Sequence, residues 1–198
     1  MESSFEIRIT GLTNPSEFVE KWSSIYSYGN EEKYQNHIQT VLDNKESFWE
    51  LFRWKNGMGD KISKGKSKTV ERFWNKRDVL LELREDFTWE LYEKEFNPSK
   101  TSNIWKMFLL HLVNPNHFPI FDQHVYRFYH FHKNGTVKEI PSNHSERYLS
   151  YKNDYLKWFN QMKESYGLNR KKMDESFFSF GQLIKGINTK GVEIRRTI

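Results

Sequence analysis

The chain contains no cysteine. That absence excludes disulfides, thiolate-bound zinc and thiolate-bound iron–sulfur clusters together, because each depends on that sulfur. Proline and glycine are sparse, five and ten in 198 residues, which argues against collagen-like, linker-rich and repeat chains. No apolar run approaches the roughly 20 residues of a membrane-crossing helix. The opening Met1-Glu2-Ser3-Ser4 lacks a basic segment leading into an apolar one, so no secretory signal is expected. A soluble cytoplasmic protein without membrane contact is the resulting expectation.

Aromatic residues are abundant. They make up 17% of the chain, as 16 Phe, 10 Tyr and 7 Trp, within a hydrophobic total of 36%. Disordered chains are poor in such residues, so this one is expected to fold around a core of rings. Its length suits one domain, or two small lobes sharing a core. The net charge of +5 is modest, but its distribution is uneven. Lys61, Lys64, Lys66, Lys68, Arg72, Lys76 and Arg77 are opposed only by Glu71. With Gly57, Gly59 and Gly65 close by, the stretch reads as a basic loop running into a helix. Backbone phosphates suit it best; a basic face kept for solubility is the alternative.

Residues 5 to 12 alternate apolar and polar, the period of a short strand. Everything else has helical spacing. Asn14-Pro15-Ser16 opens a helix with Phe18, Val19, Trp22 and Ile25 on one face. Further helices are expected over 31–42, 46–54, 67–74, 76–85 and 88–96, the last broken by the turn 97–102. The segment 103–113 is apolar nearly all round, which marks a helix at the centre of a core. A helix from Asp122 to about His132, a turn at Asn134-Gly135 and an exposed loop over 133–146 follow. Two amphipathic helices close the chain, one presenting Tyr148, Tyr155, Trp158, Phe159 and Met162, the other Met173, Phe177, Phe180 and Ile184. Gly167 and Gly186 are placed to end them.

The most informative run is His117-Phe118-Pro119-Ile120-Phe121-Asp122-Gln123-His124-Val125-Tyr126-Arg127. An apolar stretch ends in one carboxylate where a helix begins. Asp at that point accepts hydrogen bonds from first-turn amides and suits the positive end of the helix dipole. Taken alone, such an Asp reads first as an ordinary helix cap. As a whole, the run resembles the catalytic aspartate segment of the helix-hairpin-helix DNA glycosylases, whose MutY branch reads aromatic-Pro-aliphatic-apolar-Asp-x-x-Val-x-Arg there. The resemblance is specific over residues 103–131, and beyond them rests on an all-helical order with a closing helix, Asp174 to Gly181, that would pack under the site. It implies an all-α, two-lobed helical fold with the cleft near residues 97–127, and a hairpin presented to DNA. It also implies removal of a damaged or modified base, with Asp122 as the central carboxylate.

The resemblance further assigns 88–96, 97–102 and 103–113 to the helix-hairpin-helix. Its turn lacks the family's glycines and has Asn97 and Ser99 instead, while Ser99, Lys100, Thr101 and Ser102 remain to contact a phosphate. Bifunctional members carry a Schiff-base lysine before the Asp. The candidates here are Lys106 and Lys100, 16 and 22 positions upstream, on either side of the usual family distance. We read Lys106 as a surface residue and Lys100 as a phosphate contact, so a monofunctional enzyme is expected over a lyase. Some relatives carry a four-cysteine cluster, which this chain cannot build.

Five of the seven histidines lie near Asp122: His111, His117, His124, His130 and His132. Their spacing lacks the i, i+4 pair of a strong metal site, so no metal and no cofactor are expected. His111 on the apolar helix reads as a satisfied core histidine, and His124 as a first-turn neighbour of Asp122. Arg127 has a carboxylate or a phosphate as partner. DNA is the expected partner, contacted by Lys64, Lys66, Lys68, the hairpin, His124 and Arg127. Two other readings stay open: a catalytically inactive nucleic-acid-binding module on the same scaffold, and a helical defence or protein-interaction protein without nucleic-acid contact.

Overall fold

The computed structural model describes residues 6–9, 14–57, 61–100, 102–188 and 193–196. The fold is all-α, with eleven α-helices among the described residues and one short parallel ladder. The expected strand is β1 (Glu6–Ile9), which pairs with β2 (Glu193–Arg196) so that Ile7 stands opposite Ile194. The rest of the expected strand, Phe5 and 10–12, lies outside the described residues. No described helix is long and apolar enough to cross a membrane.

The chain divides into two compact units. Tyr28–Pro115 forms one, holding α2 (Glu31–His37), α3 (Lys45–Asn56), α4 (Lys64–Trp74), α5 (Arg77–Glu85), α6 (Trp89–Phe96) and α7 (Asn103–Val113). Its centre is α7, where Met107 to Val113 are all buried, as an all-round apolar helix requires. Phe52 on α3 gathers Trp105, Phe108 and Phe73 around it, with ring centroids 5.1, 5.4 and 5.8 Å away. Inside the same core, the His111 imidazole meets the Tyr34 hydroxyl at 2.8 Å, the satisfied core histidine expected from the sequence. The second expected helix is shorter than 31–42, because α2 ends at His37 and tightens into a 3₁₀ turn, Ile38–Thr40.

The other unit comprises the segments before and after, with α1 (Pro15–Ser24), α8 (Gln123–Asn134), α9 (His144–Leu149), α10 (Leu156–Tyr166) and α11 (Arg170–Asn188). Its core centres on Phe128 of α8, stacked on Phe177 at 4.3 Å and on Phe18 at 5.0 Å. The expected loop over 133–146 is shorter in the structure. Gly135 caps α8 in the left-handed region, and Asn143 starts α9 by accepting the amides of Ser145 and Glu146. Between α9 and α10 the backbone widens into a π turn, Ser150–Tyr155, which the amphipathic spacing did not reveal. Gly167 does end α10, at φ 60°. Gly186 does not end α11, which continues to Asn188.

Candidate functional site

The run before Asp122 is anchored by its own rings. Phe118 and Phe121 are fully buried, and Phe121 sits against Tyr151 and Tyr155 of the π turn at 5.2 and 5.0 Å. Its backbone is held from two sides. The Arg170 guanidinium donates to the Phe118 carbonyl at 2.7 Å, and the Tyr151 hydroxyl points to the Pro119 carbonyl at 3.4 Å. Burial pushes the phenol pKa of both tyrosines upward, so they stay protonated. Asp122 then takes an extended backbone, φ −148°, and caps α8. One carboxylate oxygen accepts the amides of His124 at 2.8 Å and Val125 at 3.1 Å. The residue is half-buried. Cap and dipole hold a negative charge there by the same amides.

The first turn of α8 rests directly on α11. A Cβ at Gly181 would overlap the His124 carbonyl, so only glycine permits that approach. The His124 ring meets the edge of Phe178 at 4.9 Å, and its Nδ1 lies 3.1 Å from the Arg127 guanidinium. Burial lowers the pKa of His124; Asp122 opposes that shift and Arg127 adds to it. Arg127 itself is buried, with Nε and Nη2 donating to the two Glu139 oxygens at 2.7 and 2.6 Å. That pair keeps the Glu139 carboxyl below its usual pKa. Of the two partners the sequence left open for Arg127, the structure shows the carboxylate. Through that pair the guanidinium fixes the 135–143 segment to α8.

The hairpin belongs to the other unit. Its turn enters through Asn97 (φ 45°) and leaves through Ser102 (φ 59°), both left-handed and neither a glycine. Asn tolerates that region through its short polar side chain. The Asn97 carbonyl accepts the Lys100 amide at 3.2 Å, and the Ser99 hydroxyl donates to the Asn97 side chain at 3.2 Å. Lys100 and Ser102 are exposed and Ser99 is half-buried; Thr101 lies outside the described residues.

Lys106 is not the surface residue expected. It is only 6% exposed, and its ammonium donates to the Asn97 carbonyl at 2.8 Å. Burial, then the nearby charges of Arg72 and Lys100, push its pKa down to about 8. The signal was present in the sequence, since a lysine flanked by Trp105 and Met107 on an all-round apolar helix has no outer face. Its amine reaches a hollow of about 270 Å³ lined also by Arg72, Lys76, Glu95 and Lys100, with Phe73 and Phe96 as its apolar floor.

The basic stretch is a helix sooner than expected. α4 begins at Lys64, so Lys64, Lys66 and Lys68 crowd its positive end, and neither a first-turn acid nor a Ser63 side-chain cap balances them. Lys66 donates to Asn56 Oδ1 at 2.7 Å and lies over the Trp105 ring; Lys64 and Lys68 face solvent. The histidines do not converge. His130 contacts the Thr136 carbonyl at 2.9 Å, His132 lies against Trp158, and no metal-binding group of three such side chains occurs among the described residues. Comparison with protein-family models, with curated proteins and with solved structures gives no match for this chain.

Proposed function

We propose that the chain is a DNA glycosylase-like hydrolase that cleaves the N-glycosidic bond of a damaged or modified base through Asp122. The observation that carries this reading is the fixation of one carboxylate. It caps α8 through two amide hydrogen bonds, while Arg170, Tyr151 and Gly181 hold the backbone on either side. Departure of the base leaves positive charge on the sugar, as in other glycoside hydrolyses. A preorganised carboxylate stabilises that charge without reorganising. The C1′–N bond breaks with its electron pair going to the base, which is protonated, and water adds to C1′ with loss of a proton. This scheme needs no lysine. Lys106, whose ammonium serves the hairpin carbonyl, is assigned to the binding unit and not to a Schiff base.

The uncapped lysine-rich start of α4 supports nucleic acid as the partner, since it concentrates positive charge where a helix already attracts anions. Asp122→Asn tests the reading. Asn caps about as well as Asp, so the fold is kept and only the charge is removed. Base release from duplexes carrying a panel of damaged bases should fall by about 10²–10³-fold, the scale of losing one electrostatic stabiliser, with binding retained. If the unaltered chain releases no base from any of the panel yet binds nucleic acid, the binding-module reading stands instead. The glycine-free hairpin turn favours that second reading.

A further inference from the structure

The hollow beneath the hairpin gathers four basic side chains. Arg72 comes from α4, Lys76 from the turn after it, Lys100 from the hairpin turn and Lys106 from α7, against one acid, Glu95 of α6. Glu95 is already engaged by Lys76, whose ammonium donates to its carboxylate at 3.0 Å and its carbonyl at 2.7 Å. Among the described residues, three cations thus line one small space without a paired carboxylate there. Like charges held together repel; burial first, and then Arg72 and Lys100, lower the pKa of Lys106. An arrangement of this kind is stabilised by an anion in its midst. Lys106 has three hydrogens to donate and spends one on Asn97.

We propose that this hollow binds a phosphate monoester, held between the Arg72 guanidinium and the ammonium groups of Lys100 and Lys106. Charge selects the monoester, because a dianion offsets two of the three cations while an internal phosphodiester offsets one. Shape selects it as well. At about 270 Å³ the hollow is below the roughly 300–1,000 Å³ of sites for larger organic ligands, and its apolar floor is closed by buried Phe73 and Phe96. The ligand is a free phosphorylated small molecule or the phosphorylated end of a strand. The site owes nothing to Asp122 and stands or falls apart from base release.

The test is calorimetric titration at low ionic strength with inorganic phosphate, a nucleoside 5′-monophosphate, and one oligonucleotide with either a 5′-phosphate or a 5′-hydroxyl end. Millimolar or tighter binding of inorganic phosphate is expected. It should weaken about tenfold or more in Lys106→Met and in Arg72→Ala, the loss of one charge-assisted hydrogen bond, and remain unchanged in Asp122→Asn. Arg72 is exposed, so its variant keeps the test valid should Lys106→Met fail to fold. Glu95→Gln, which removes the only acid among the described residues lining the hollow, should tighten binding. A preference for the phosphorylated oligonucleotide that is lost in Arg72→Ala identifies a strand end. Equal binding of both oligonucleotides alongside phosphate-sensitive binding of the mononucleotide identifies a small molecule. Absence of phosphate binding, or binding indifferent to both cation variants, overturns the proposal.

Discussion

A methyl group on Gly181 would collide with the His124 carbonyl, and neither side of that contact is a flexible chain end. Two effects compete in Gly181→Ala. Alanine is favoured over glycine inside a helix by about 1 kcal/mol, and overpacking against fixed backbone costs about 1–3 kcal/mol or more. The collision wins because α8 must move bodily to relieve it. We expect a net loss of about 1–2 kcal/mol, read as a lower urea midpoint with unchanged slope. Base release, if Asp122 performs it, should fall as well, because the moved turn carries the Asp122 cap. Sequence placed this residue in a closing helix expected to pack under the site, without marking it as the point of contact. Asp122 was legible because a cap is a local property, written in adjacent positions. Gly181 was not, because its constraint comes from a carbonyl 57 positions away. Lys106 lies between the two cases: its apolar neighbours announced burial, but nothing local announced Arg72 and Lys100 beside it.

Helix α4 breaks the electrostatic rule for helix starts, with Lys64 and Lys66 in the first turn, where acids belong, and Lys68 just after it. Rule-breaking of this kind tends to be kept where it serves binding. Replacing Lys64 and Lys68 with Glu, while sparing Lys66 and its Asn56 contact, therefore separates the two roles. Stability should rise by about 0.3–1 kcal/mol, chiefly through Lys64→Glu in the first turn. Affinity for duplex DNA should fall, and the slope of log K against log salt should flatten by about one to two, one phosphate contact per lysine. A stabilised variant whose affinity and salt slope are unchanged would show a merely solvated face. The start of α4 was misread because Gly65 and the missing cap look like loop signals, although lysine itself is a good helix former. The π turn escaped for a related reason. Its tyrosines are ordinary helical spacing on paper, although in the structure both lie against Phe121.

At the scale of the whole molecule, the all-α fold was legible because the apolar period is helical almost throughout, and α7 matched its expected limits since an all-round apolar helix has one place to go. The balance of charge with pH was not legible, because it depends on burial. His124 is held below its ordinary pKa of 6.5, so the unfolded chain binds the extra proton first as pH falls. Its contribution is therefore complete above about pH 6.5 and is lost as pH drops through the lowered folded value. Lys106 acts on the alkaline side. Its folded pKa of about 8 lies below the ordinary 10.5, so between these values the unfolded chain carries a proton that the folded chain has shed. Stability must then rise with pH across that window, by a few kcal/mol at most over its full width. The buried tyrosines oppose it only near their unfolded pKa of about 10. Urea midpoints should thus climb from pH 8 to about 9.5 in the unaltered chain and stay level in Lys106→Met. A climb of equal size in both would mean that the buried amine is not the group that titrates.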